Sequence, residues 1–163
     1  MFSALRKVSP TSSSTDSDAN PPSKTVETRV WLEEHEWLLT LLKSEKNASP
    51  CFRMPDLISS CVTLTLKHPT AVARIFHFLS TDLIARAPLT ARRREEIWRP
   101  QYEALLELQR CPGNQHPNPK FQLDHFTTAC VALSRTADRS GEDVLHHARI
   151  NILSRSLRGF IPR

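Results

Sequence analysis

Residues 25–32 read "TVETRVWL" and run directly into "EEHEWLLTLLKSEKN". In the first stretch, apolar or small side chains alternate with charged ones and a tryptophan, which is typical of a β-strand with one buried face. The second stretch places Leu38, Leu41 and Leu42 on one side of a helix, predicted over 33–46. A single strand leaves its backbone donors and acceptors unpaired, so the fold depends on where the partner of this strand comes from.

Composition limits the classes of function. The chain has 163 residues and a formal net charge of +5, and arginine supplies most of the positive charge. This balance favours an anionic partner, most commonly nucleic acid, although a soluble domain with a basic surface would look the same. Only three glycines are present, which excludes Gly-rich phosphate loops and dinucleotide-binding turns.

No set of residues indicates catalysis, a cofactor or a metal. The four cysteines lack C-x-x-C spacing, and no histidine pair has the spacing of metal ligands on a helix. We also find no signal peptide and no apolar run long enough to cross a membrane. The sequence therefore predicts a cytoplasmic protein without enzymatic activity and with reduced thiols.

The remaining chain is predicted to be mainly α-helical. Residues 1–23 form a Ser- and Pro-rich segment that we expect to be a disordered arm, 24–68 form the first folded unit, and 69–163 form a helical C-terminal region. Further helices are predicted over 55–68, 70–86, 91–110 (with a kink at Pro100), 121–137 and 142–157. Neither a second strand nor an internal repeat is evident in the sequence.

Without a second strand, the simplest partner is the same strand from another copy of the chain, which predicts a two-fold homodimer with an antiparallel ribbon. The face predicted to lie on the helices carries Val26, Thr28, Val30 and Leu32. The opposite, open face would carry Glu27, Arg29 and Trp31. A two-stranded ribbon of this kind fits the major groove of DNA.

The stretch "RVWLEEHEWLLTLLKSEKNASPCFRMPDLISSCVTLTL" resembles the ribbon-helix-helix family of DNA-binding proteins over about residues 24–68. Asp56, Leu57 and Ile58 match the common opening of the second helix of that family. The resemblance implies an obligate dimer whose paired strands read base edges and whose second helix holds a DNA phosphate at its N-terminus.

Four residues are predicted to contact double-stranded DNA on this reading. Arg29 donates to guanine, Glu27 accepts from cytosine N4, and Trp31 contacts thymine methyl groups, unless the register is shifted by one and Trp31 belongs to the core. Arg53 would hold a phosphate beside the start of the second helix. The arginines at 92–94 are either a phosphate-binding patch or a solvated helix face.

The sequence therefore predicts sequence-selective DNA binding as a homodimer. The resemblance implies one of two roles, a transcriptional regulator or an accessory factor of a plasmid or other mobile element. The alternative is a helical adaptor that binds a protein partner through its C-terminal helices and does not bind DNA.

Overall fold

A computed structural model describes residues 24–48, 51–86, 90–114 and 121–158. The arm predicted over 1–23 lies outside these residues. The elements are β1 (Thr25–Trp31), α1 (Leu32–Leu42), α2 (Met54–Lys67), α3 (Ala71–Phe78), β2 (Arg92–Trp98), α4 (Arg99–Arg110), α5 (Leu123–Ala137) and α6 (Glu142–Arg158). A π-helical turn over Leu79–Leu83 continues α3. The prediction of a mainly helical protein with an N-terminal strand is confirmed.

The partner of β1 lies in the same chain. β1 and β2 form a two-stranded antiparallel sheet in which Thr28 is opposite Glu95, and Arg29 is opposite Arg94. The predicted pairing of β1 with its copy in a second chain is therefore wrong, and so is the expectation that the chain contains no second strand. The homodimer itself stays a prediction, but the ribbon does not require it.

The predicted fourth helix is divided into a strand and a shorter helix. Residues 92–98 are extended, and α4 begins at Arg99, so Pro100 lies in the first turn of a helix. Proline is favoured there because the missing N–H would have no helical acceptor and the fixed φ suits helix entry. Pro100 therefore lies at the start of α4. The predicted kink at Pro100 within a longer helix is wrong.

The described residues form two similar units, each a strand followed by three helices. The first unit is β1, α1, α2 and α3 with its π-helical turn, and the second is β2, α4, α5 and α6. Corresponding positions carry the same residue type in several cases: Trp31 and Trp98, Asn47 and Asn114, Phe52 and Phe121, Cys61 and Cys130, Arg86 and Arg155. The antiparallel ribbon relates the two units by an approximate two-fold axis, so one chain has the arrangement of a two-fold dimer.

Matching hydrogen bonds support this correspondence. The side-chain amide of Asn47 donates to the carbonyls of Leu42 and Phe52, and its oxygen accepts from the Phe52 N–H at 2.7 Å. In the second unit, Asn114 makes the same three bonds, to the carbonyls of Gln109 and Phe121 and from the Phe121 N–H. Each buried asparagine closes the loop between the first two helices of its unit.

The core lies between the ribbon and the two central helices. The inner face of the ribbon buries Val30 and Ile97, and α2 and α5 bury most of their length beneath it. The last helix of each unit packs on the central helix of the other, α6 on α2 and α3 on α5. One hydrophobic cluster therefore joins both units. Among the described helices, none has the length and apolar character needed to span a membrane.

Candidate nucleic-acid interface

The outer face of the ribbon exposes four charged side chains at its centre. Glu27 and Arg29 come from β1, and Arg94 and Glu96 come from β2. Because directly opposed residues of an antiparallel pair share a face, Arg29 and Arg94 lie side by side, and so do Glu27 and Glu96. The prediction that Glu27 and Arg29 project from the uncovered face is confirmed by their exposure.

These charges differ in how they are neutralised. Arg94 Nε lies 3.2 Å from Glu27 Oε1 in an exposed ion pair, and the Thr25 hydroxyl donates to Glu96 at 3.2 Å. Arg29 makes no ion pair with any residue that the structure describes. An exposed pair contributes little to stability, so both arginines can exchange their present surroundings for a ligand at low cost.

Trp31 is in the strand position that the sequence predicted but is not open to solvent, so that part of the prediction is wrong. Only 4% of its surface is exposed. The guanidinium groups of Arg86 and Arg92 lie over its ring, at 5.8 and 5.0 Å from the centroid, and the His125 ring packs at its edge. These neighbours come from other elements, which strand alternation alone could not reveal. Trp31 is therefore not available to contact a base without rearrangement.

Arg53 lies exposed at the start of α2, as predicted. Its backbone N–H donates to Asp56 Oδ2 at 3.0 Å, which caps the helix. Asp56 Oδ1 accepts from the Trp98 indole at 2.8 Å and from Arg155 at 3.2 Å. These bonds fix the N-terminus of α2 against the end of β2, so Arg53 is held beside one end of the ribbon.

The corresponding N-terminus of α5 has different chemistry. His125 takes the place of Asp56, and its Nδ1 accepts from the Gln122 N–H at 2.9 Å. The pKa of His125 is lowered, mainly because burial disfavours its charged form, and Arg92 adds to this effect while Asp124 opposes it. Asp124 also pairs with Arg92 and places a negative charge at this helix start. The two ends of the ribbon are therefore unlike, since the α2 end carries the exposed Arg53 where the α5 end carries the neutral Gln122.

The sequence indicated the arginines at 92–94 as a possible phosphate-binding patch but placed them on a helix, so it missed that β2 brings Arg94 and Glu96 beside β1. It also gave no sign that Lys24, Arg99 and Arg155 line one cavity. The repeated tryptophan and asparagine positions were the signal that could have located β2. The arrangement offers paired hydrogen-bond donors on a two-stranded ribbon with a basic helix start at one end, which suits contacts to base edges and to a phosphate.

Comparison with protein-family models, curated proteins and solved structures found no match.

Proposed function

We propose that the protein binds double-stranded DNA sequence-selectively by placing the β1–β2 ribbon in the major groove. The observation that carries the proposal is the juxtaposition of Arg29 and Arg94 on the exposed face of a two-stranded ribbon. An arginine there can donate twice to guanine O6 and N7. The role would be transcriptional regulation or an accessory function of a plasmid or other mobile element.

Arg53 supplies the contact that fixes the ribbon on the duplex. It is exposed beside the N-terminus of α2, where backbone N–H groups and the helix dipole favour an anion. A phosphate contact of this kind positions the protein without reading sequence. The corresponding position at α5 is the neutral Gln122, followed by Asp124, so we expect one strong phosphate contact per chain.

The preferred DNA site should not be palindromic. In the two-fold relation between the strands, Glu27 corresponds to Arg94 and Arg29 corresponds to Glu96. The two halves of the ribbon therefore present opposite charges at matching positions. A single chain would read two different half-sites, whereas a homodimeric ribbon would read the same half-site twice.

Selection of bound sequences from a random duplex pool, followed by titrations at several salt concentrations, tests the proposal. We expect one enriched asymmetric site and an affinity that falls as salt rises, because bound phosphates release counterions. Arg29→Ala should weaken the selected site about tenfold or more and leave the melting temperature nearly unchanged, because this side chain is exposed. Non-specific affinity should fall much less.

Two further variants separate base reading from phosphate binding. Arg53→Ala should weaken all duplexes alike and reduce the salt slope by about one unit. Arg139→Ala removes the same charge from the exposed turn before α6 and should change neither property. Enrichment of no sequence, or equal losses from Arg29→Ala and Arg139→Ala, would refute DNA reading by the ribbon.

The second candidate is a helical adaptor that binds a protein and not DNA. It is favoured by Ile150 and Leu153, which are 42% and 56% exposed on α6. An adaptor of this kind predicts little salt dependence toward duplex DNA, whereas the ribbon proposal predicts a steep one. The same titration therefore decides between the two candidates.

A further inference from the structure

The two units contain matching tryptophan–arginine pairs that are neutralised differently. In the first unit, Arg86 lies over Trp31 and donates to both carboxylate oxygens of Glu34, at 2.8 and 2.6 Å. Glu34 is fully buried, and Arg86 also bonds Asp82. In the first unit, the positive charge of Arg86 is therefore balanced by carboxylates of the same chain.

In the second unit, Arg155 lies 3.8 Å above the Trp98 ring. The position that corresponds to Glu34 is Gln101, a neutral side chain whose Oε1 is buried without a hydrogen-bond partner among the described residues. The one carboxylate bonded to Arg155 in the described part of the chain is Asp56, through a single contact at 3.2 Å. Two hydrogen bonds from Arg86 to the Glu34 carboxylate in the first unit are thus replaced in the second unit by one longer bond from Arg155 to Asp56.

Arg155 faces an open cavity of about 710 Å³. The lining includes four cationic side chains, Lys24, Arg53, Arg99 and Arg155, and two carboxylates, Asp56 and Glu103. Asp56 is buried and already accepts from three donors, so it offers little capacity to a further cation. The volume lies within the range of small-molecule sites.

The charge of Arg155 is only partly neutralised by its single bond to Asp56. The pKa of Arg155 is lowered because burial withdraws the guanidinium from water, and nearby Arg53 adds to the effect while Asp56 offsets only part of it. An anion between these arginines would supply the charge that Glu34 supplies in the first unit. Guanidinium groups bind phosphate and carboxylate oxygens through paired hydrogen bonds.

The remaining walls of the cavity are apolar. Trp98, Pro100 and Ile152 line it beside the arginines. We propose that this cavity binds a small organic phosphate, with the phosphate between Arg53 and Arg155 and a flat or apolar body against Trp98 and Ile152. The site goes beyond the proposed DNA-binding function, because the ligand is a free small molecule and not the DNA backbone.

Isothermal titration calorimetry with phenyl phosphate tests the proposal on the full chain. We expect saturable binding with one site per chain, and weaker binding of inorganic phosphate, which lacks the apolar body. Arg155→Gln should lower the affinity for phenyl phosphate about tenfold or more. Arg139→Gln, an equal loss of charge outside the cavity, should leave it unchanged. Absence of saturable binding to the wild-type chain would overturn the proposal.

Two variants that remove no cation make the test specific. Gln101→Glu introduces the carboxylate found at the corresponding position of the first unit, so it should abolish binding by occupying Arg155 internally. Glu103→Gln removes a rim carboxylate and should raise the affinity severalfold. If Gln101→Glu fails to fold, the test rests on Glu103→Gln and Arg155→Gln. An affinity for phenyl phosphate that is unchanged in both variants would overturn the assignment of the cavity.

Arg53 belongs to both proposed sites, so duplex DNA and phenyl phosphate should compete, and Arg155 separates the two sites. Arg155→Gln should weaken phenyl phosphate binding and leave the affinity for duplex DNA unchanged. An equal loss of duplex affinity would overturn the assignment to a free small phosphate, since the cavity would then hold a phosphate of DNA. A chain that binds phenyl phosphate but no duplex would refute the DNA-binding function and leave this site standing.

Discussion

The indole Nε1 of Trp98 donates to Asp56 Oδ1 at 2.8 Å, and this bond ties the end of β2 to the start of α2. The corresponding indole of Trp31 is buried and has no hydrogen-bond partner among the described residues. In contrast, the backbone bonds at the two sites are preserved, since Trp98 N donates to Ser59 and Trp31 N donates to Thr128. The backbone arrangement is thus repeated in both units, whereas the side-chain chemistry differs between them.

A disulfide placed across the ribbon should form within one chain. Arg29 and Arg94 are opposed in the sheet, and Cα atoms of opposed residues are about 4.5–5.5 Å apart, within the range of a disulfide. With the accessible Cys51 and Cys111 replaced by serine, Arg29→Cys/Arg94→Cys should oxidise to a monomeric product, identified by non-reducing electrophoresis and peptide mass. Oxidation of the double variant to covalent dimers only, with no disulfide within a chain, would contradict pairing of β1 with β2.

The two loop asparagines should be equally important for stability. Asn47→Ala and Asn114→Ala each leave buried backbone groups without three hydrogen bonds, so each should cost about 2–3 kcal/mol in the free energy of unfolding. Asn151→Ala removes a half-buried amide bonded to the Thr63 hydroxyl and should cost less than about 1 kcal/mol. Urea unfolding measures all three; a loss for Asn47→Ala as small as for Asn151→Ala would refute the loop-closing role.

The helices could be predicted from the sequence because their apolar spacing and start signals agree. Pro55 lies in the first turn of α2, Asp56 caps it, and Leu57, Ile58 and Cys61 follow on the buried side. β1 could also be predicted, since its side chains alternate: Thr28 and Val30 are buried, whereas Glu27 and Arg29 are exposed. In both cases the local pattern and the tertiary packing require the same side chains to be inside.

β2 could not be predicted from its own alternation of side chains, because its pattern carries almost none. Its inner face holds Arg93, Glu95 and Ile97, of which only Ile97 is apolar and fully buried. Glu95 is accommodated on this face by a 2.8 Å contact with buried His35, a pairing that joins distant parts of the chain. The five consecutive charged residues at 92–96 are typical of a solvent-exposed helix, and only the pairing with β1 identifies them as part of a strand. The same omission concealed the cavity beside Trp98.

Stability should depend on pH through His125. Its folded pKa is lowered, so the unfolded chain takes up a proton more readily, and stability that is full above about pH 6.5 should be lost as the pH falls below that value and through the lower folded pKa. Protonation also removes the Nδ1 lone pair that accepts from the Gln122 N–H. His125→Asn retains an acceptor that does not titrate, so its urea midpoint should fall less than that of wild type between pH 8 and 5. Parallel profiles would exclude His125 as the cause.

Gly141 should not tolerate a side chain. It adopts φ = 76°, and a Cβ at this position would overlap the buried side chain of Leu41. Gly141→Ala should therefore lower the free energy of unfolding by about 2–4 kcal/mol, from left-handed backbone strain and overpacking together. Gly113→Ala is the matched control, because its Cβ would meet Cys111 Sγ at an ordinary 3.6 Å. Thermal unfolding should separate the two variants clearly, and similar melting temperatures would contradict the close approach of Leu41.

Removing one charge of the buried Glu34–Arg86 ion pair should lower the free energy of unfolding much more than removing both. The Glu34 hydrogen bonds are the main reason that the pKa of Arg86 is raised, and Glu34→Gln leaves this largely buried guanidinium, in the described part of the chain, with counter-charges only at the exposed carboxylates of Asp82 and Glu33. That change should cost about 3–5 kcal/mol, whereas Asp82→Asn at the exposed partner should cost less than about 1 kcal/mol. Glu34→Leu/Arg86→Met replaces both charges by apolar groups and should recover most of the loss. Urea unfolding of the three variants provides the measurement. A double variant no more stable than Glu34→Gln would show that Arg86 is needed for its packing over Trp31 and Phe78, and not for its charge.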